Sequence, residues 1–187
     1  MADPWYPPAA SYFVPRGDDA SFPVRQGDIF EAPEEAGDLA GWRGFMLIHP
    51  TCEVAKAPRL QVARLRAVSE LADDFQKTVV TYGYRDRHGE IEVAFAHTFW
   101  LPPAGDDGPL GEPGFVDFRD VDTVEPDRAR SELRARAMSH DARVYLIRRQ
   151  IYFRYRWHLT LDQVRQLEAQ RIRGDTAFEG PRPSWAE

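Results

Sequence analysis

Up to residue 124 this chain has only short apolar runs to build with, and proline, glycine or charge ends each of them within a few residues. The run at residues 44–48, Gly-Phe-Met-Leu-Ile, is among the longest, and Pro50 closes it. Proline fixes φ and offers no N–H, so it stops a helix or a central strand. Short strands joined by turns are what such a chain can form. No run approaches the roughly 18 apolar residues that a membrane-crossing helix needs. Residues 1–23 lack a basic stretch leading into an apolar one, so no secretory signal is expected.

Residues 1–23 hold five prolines together with Trp5, Tyr6, Tyr12 and Phe13, the pattern of an arm lying on the body. Strands are expected at residues 27–31, 43–49, 60–68 and 115–121, where apolar residues run on or alternate. The alternation of residues 60–68 slips once, as at a bulge or a strand end. Residues 78–84 are β-branched and aromatic. With residues 90–101, across the turn Asp86-Arg87-His88-Gly89, they predict a hairpin. Residues 102–114, with four prolines and four glycines, read as a loop.

Beyond residue 124 the pattern changes. Glu125-Pro126-Asp127 looks like a helix entry. Val144, Ile147, Ile151 and Tyr155 recur at helical spacing, with Ser139 as N-cap and Asp141 in the first turn. Thr160-Leu161-Asp162-Gln163 has capping-box spacing, so a second helix is expected over residues 161–173, stopped by Gly174. The class is α+β: a partly open β-barrel with a C-terminal helical hairpin. The chain reads as a single domain, 1–187. Its parts are an arm (1–23), a barrel body (24–124), an arginine-rich helical end (125–174) and a loose tail (175–187). A hydrophobic fraction of 43% suffices for one core.

Charge is divided along the chain. Residues 1–127 carry a net −12, residues 128–173 carry +8, and the whole chain −6. The basic residues are 22 arginines and two lysines, a bias that a GC-rich genome also produces. The basic segment either docks on the acidic body or turns guanidinium groups toward phosphate. Arg148, Arg149, Arg154 and Arg156 are interleaved with Tyr145, Tyr152, Phe153, Tyr155 and Trp157. Arginine beside stacking aromatics is the chemistry of single-stranded nucleic-acid binding. The expected partner is therefore single-stranded nucleic acid or a protein. The plainer alternative is an amphipathic helix with packed aromatics and solvated arginines.

The densest chemical cluster is His49-Pro50-Thr51-Cys52-Glu53, directly after an apolar run. Cys52, the one cysteine, excludes an internal disulfide, and a reducing, cytoplasmic setting is expected. Cys52 with His49 would suit thiol chemistry. His49, Cys52 and His97 could ligate a metal with Glu53 as base. The plain reading is that a lone cysteine at such a place is a small buried apolar residue. No CxxC, HExxH, GxGxxG, Walker A or GxSxG motif occurs, so no cofactor and no metal is expected.

Gln26-Gly27-Asp28-Ile29-Phe30, an acidic loop, and Arg43-Gly44-Phe45-Met46-Leu47-Ile48-His49-Pro50 together resemble the opening of the MazF/PemK-type toxins. The likeness covers about residues 25–71. It implies an SH3-like barrel and cleavage of single-stranded RNA. It would place Arg43 at the family's catalytic arginine and Ser69 near its catalytic Thr/Ser, while Gly44 stands where those toxins have proline. The Gly27-Asp28-Ile29 strand, the Thr51-Cys52-Glu53 segment and the strand–helix end at residues 115–157 are also similar to a group of uncharacterised bacterial proteins with no established activity. Three functions follow as expectations: a non-catalytic binding module, a MazF-like endoribonuclease, and a thiol- or metal-dependent enzyme centred on Cys52.

Overall fold

The structure, a computed structural model, describes residues 7–15, 22–32, 39–82, 84–85, 91–92, 97–104 and 109–155, with the helical residues 163 and 166. The turn at residues 86–89, the acidic loop at 34–38 and nearly all of the expected second helix lie outside them. Eight strands and two helices are described: β1 Ile29–Glu31, β2 Gly44–Leu47, β3 Leu60–Ala67, α1 Asp74–Tyr82, β4 Tyr84–Arg85, β5 Ile91–Glu92, β6 Thr98–Leu101, β7 Gly114–Val124, β8 Arg134–Arg136 and α2 His140–Tyr155. Six of the strands form one antiparallel sheet in the order β6-β7-β3-β2-β1-β8. The protein is thus mixed α and β.

Both faces of this sheet are covered, which is why β2 is apolar at every position rather than alternating. On one face Ile29, Met46, Leu65, Phe99 and Val116 pack with Ala142 and Leu146 of α2. On the other, Phe30, Phe45, Leu47, Leu60 and Val62 pack with Leu39, Val124 and Ala129. Phe30 and Phe45 stack with ring centroids 5.3 Å apart. The slip expected in residues 60–68 is a register shift between Ala63 and Leu65 against β7.

Where a partly open barrel was expected, the sheet does not close: its edge strands, β6 and β8, do not pair with each other. The N-terminal arm takes part of that edge. Phe13 bridges Met138, Val14 N–H donates to Ala137 O, and Ser139 N–H donates to Tyr12 O. Tyr12 is fully buried, so the described part of the arm does lie on the body.

The hairpin expected at residues 78–101 is a second correction. Residues 74–82 are helix α1, because Asp73 caps its start by accepting from Phe75 N–H at 2.7 Å. Thr78 and Thr81 return their hydroxyls to the carbonyls of Asp74 and Lys77, which lets β-branched residues sit in a helix. Among the described residues, the two-residue strands β4 and β5 pair across that segment, and β6 joins the main sheet. A third is the helix entry at residues 125–127: two 3-10 turns there lead into β8. Helix α2 starts as expected, with Ala142 N–H on Ser139 Oγ at 3.1 Å.

Gly27 and Asp28 each have a structural task. Gly27 has φ +95°, and a Cβ there would sit 2.5 Å from Met138 Sδ. Asp28 accepts from Arg134 Nη1 at 2.7 Å, from Arg25 N–H and from Met138 N–H, joining the start of β1 to β8. Burial pushes the Asp28 carboxyl above its ordinary value despite these partners. At Gly44 a Cβ would meet Phe30 O at 2.7 Å, so this position cannot hold a proline.

Candidate functional site

A cleft of about 280 Å³ opens between α2 and the segment that follows β2. Gln26, His49, Glu53, Gln61, Gln150 and Arg154 are among its walls, with Tyr155 at its rim. A smaller adjoining hollow of about 80 Å³, walled also by Phe118, Val121 and Phe153, shares Ile48, Gln61, Gln150 and Arg154 with it.

The wall is built from backbone constraints. After β2, Ile48 N–H and His49 N–H both donate to Gln61 O, at 3.0 and 3.1 Å. Gln61 N–H in turn donates to His49 Nδ1 at 3.3 Å. An accepting Nδ1 leaves the proton of the neutral ring on Nε2. Pro50 then breaks the strand and starts the 3-10 turn Thr51–Glu53. Glu53 thereby stands over the imidazole, its Oε2 3.7 Å from His49 Nε2, which is beyond hydrogen-bond reach.

Gln26 ties three elements together. Its N–H donates to Thr51 Oγ1, and its side-chain amide donates to Ile48 O at 3.1 Å and to Gln150 Oε1 at 2.7 Å. With its oxygen so engaged, Gln150 turns its NH2 the other way. Two buried nitrogens of the cleft walls, His49 Nε2 and Gln150 Nε2, have no hydrogen-bond partner among the described residues. A buried donor left unmade costs about 1–3 kcal/mol. Arg154 is exposed beside them, in the last turn of α2.

The other candidates fall elsewhere. Cys52 is exposed, a correction to its expected burial, because the 3-10 turn carries it outward, and it does not line the cleft. His97 lies 3.8 Å from Asp117 rather than beside Cys52, so the set His49, Cys52 and His97 does not assemble. Among the described residues no three His, Cys, Asp or Glu side chains gather as metal ligands. Burial raises the Asp117 carboxyl, but the hydrogen bonds from Arg119 and the charge of His97 outweigh it and hold it below its usual range.

Arg43 and Ser69 do come together, on a residue the sequence did not mark. Arg43 Nη1 donates to Glu112 Oε1 at 2.9 Å, and Ser69 Oγ donates to Glu112 Oε2 at 2.6 Å. These two bonds, the serine's first, hold the Glu112 carboxyl below its usual range.

The four candidate phosphate-binding arginines separate. Arg149 is 2% exposed and donates from Nε to Thr98 O at 2.9 Å, so it faces the sheet and not a ligand. Arg148 is half-buried, with Nε enclosed. Arg154 alone reaches the cleft, and Arg156 lies outside the described residues. Gln26, Gln61 and Gln150 escaped sequence reasoning, since glutamine carries no motif. One sign was legible: Gln150 interrupts the stripe Ile147, Ile151 at helical spacing.

No helix among the described residues is long and apolar enough to cross a membrane. No protein-family model matches the chain, and no curated protein matches it.

Proposed function

We propose that the chain is a binding module for single-stranded nucleic acid that takes one nucleotide into the cleft between α2 and residues 48–53. The observation that carries this reading is the pair of buried, unpartnered donors, His49 Nε2–H and Gln150 Nε2–H, in one cleft. A ligand rich in acceptor atoms would relieve both. Arg154 is the cation beside them for the backbone phosphate, and Tyr155, 57% exposed, is a ring on which a base can stack. The SH3-like character of the body belongs to this reading. Register shifts between Ile29 and Phe30 and between Ala63 and Leu65 supply the bends that a small curled sheet needs.

The test is fluorescence polarisation with labelled single strands over a salt series. Affinity should fall with salt, and Arg154→Glu should reduce the slope of log K against log salt by about 0.7. His49→Phe with Gln150→Leu should weaken binding while the fold, followed by circular dichroism, persists. No binding at low salt would remove the reading.

A second reading, a MazF-like endoribonuclease, is favoured by one observation: Arg43 and Ser69 share Glu112. Arginine stabilises developing phosphoryl charge. Labelled RNA that stays intact with the purified protein would dismiss it.

A further inference from the structure

The polarity of His49 and Gln150 in the cleft is fixed by the other bonds that each makes. Glu53, as a carboxylate, accepts only. His49 presents N–H, because its Nδ1 already accepts from Gln61 N–H. Gln150 presents NH2, because its Oε1 already accepts from Gln26. Besides the exposed Gln61 amide and Arg154 guanidinium, the cleft therefore offers one carboxylate acceptor and two buried donors. Their depths differ: the Glu53 side chain is 63% exposed at the mouth and that of His49 12%. His49 Nε2 and Gln150 Nε2 are both fully enclosed.

From this order, and resting on the nucleic-acid reading above, we infer that the cleft selects cytosine. Its complement must carry two acceptors and one donor. Guanine carries one acceptor and two donors on its pairing edge, and adenine carries only one acceptor there, so both fail on number. Uracil has two acceptors and one donor, but its donor lies between them, which would put a carbonyl oxygen against Glu53 and the ring N–H against His49 Nε2–H. Cytosine has the donor at one end. Its amino group meets Glu53 at the mouth, its ring nitrogen meets His49 Nε2–H, and its carbonyl meets Gln150 Nε2–H. Acceptance of the cytosine amino group by a carboxylate is an established pairing. The 3.7 Å between Glu53 Oε2 and His49 Nε2 lets both groups reach adjacent atoms of one base edge.

The test compares fluorescein-labelled deoxyoctamers of cytosine, uracil, adenine and hypoxanthine on the full chain at low salt. Cytosine and uracil differ by one amino-to-oxo exchange, as do adenine and hypoxanthine. The cytosine strand should bind roughly 5- to 150-fold tighter than the uracil strand, the range that one good bidentate contact gives. Glu53→Gln, whose amide can turn to donate to the uracil carbonyl, should lower that ratio several-fold but not abolish it, because His49 Nε2–H still opposes the uracil ring N–H. Glu53 is a surface residue, so this variant folds. Equal binding of all four strands overturns the inference and leaves the nucleic-acid reading standing. A ratio unchanged in Glu53→Gln, or a preference that follows ring size, overturns it also. Failure of every strand to bind overturns both.

Discussion

Replacing Asp28 by alanine should be among the most damaging single changes in this protein. The carboxylate is 2% exposed and the Arg134 guanidinium it holds at 2.7 Å is 0% exposed. Alanine would leave that cation buried without its counter-ion and would orphan Arg25 N–H and Met138 N–H. Breaking one side of a buried pair costs about 3–5 kcal/mol, against a total stability of about 5–15 kcal/mol. With a urea m-value of about 1–3 kcal/mol/M, the midpoint should fall by roughly 2 M. Tryptophan fluorescence of Trp42 and Trp100 reads the transition. The pair itself is a different matter. Burial outweighs Arg134 in setting the Asp28 pKa, which is raised, so the fold favours the protonated carboxyl more than the unfolded chain does. Between the ordinary value of 3.8 and the raised one, the folded chain keeps a proton that the unfolded chain has released. The contribution of this group to stability therefore falls as pH rises through that window. Two consequences can be checked. The double variant Asp28→Leu with Arg134→Met should recover most of the loss, and the Asp28→Ala deficit should be largest at the acid end. A single variant that loses less than about 1 kcal/mol, or a double variant no better than the single, would refute the reasoning.

Arg149→Ala should remove a charged hydrogen bond to Thr98 O and lower stability by about 2–3 kcal/mol, or roughly 5–10 °C in Tm by calorimetry. Arg154→Ala should stay within about 0.5 kcal/mol of the parent and act on nucleic-acid binding instead. Gly27→Ala adds left-handed strain to a clash with Met138 Sδ, so a loss of about 2–4 kcal/mol is expected in urea titrations. Glu112→Gln concerns a carboxyl held below its usual range, so its contribution is present above the ordinary value of 4.5 and lost as pH falls. Unfolding curves of parent and variant should accordingly differ at neutral pH and converge on acidification.

The strands β1, β2, β3 and β7 were legible because their apolar residues either run on or alternate, and packing on both faces rewards each pattern. Residues 78–82 were misread as strand for a physical reason. Threonine and valine favour strands only where nothing else satisfies them, and here Asp73 caps a helix whose Val79 and Val80 are buried. Strand β8 was invisible: Arg134-Ala135-Arg136 has no apolar face, and its arginines point at Asp28, Ala104 O and Val14 O. At the site, His49 and Glu53 were found through their chemistry, while the glutamines that set their polarity were not.

The sequence left open which of the arginines turn inward and which turn out. A net charge summed over residues 128–173 treats each guanidinium as free to face a partner. Arg134, Arg136, Arg143 and Arg149 instead donate inward, to Asp28 or to main-chain carbonyl oxygens. Arg130 closes on Asp127 nearby. A guanidinium has five donors and a long apolar stem, so it can serve as a strut between a helix and a sheet edge as readily as a surface charge. In these contacts the acidic body and basic end meet through main-chain carbonyls as well as through the buried Asp28–Arg134 pair. This changes what charge can say about function. Of the candidate arginines on α2, Arg154 is the exposed one that lines the cleft, and in the proposed reading specificity comes from Glu53, His49 and Gln150 beside it. A fully charged helix would bind any polyanion. If the proposed reading holds, a cleft with one exposed arginine, two fixed donors and one carboxylate offers little to a bare phosphate chain and more to a base of the right edge. Binding that persists unchanged when the bases are removed, as with an abasic strand, would contradict that conclusion directly.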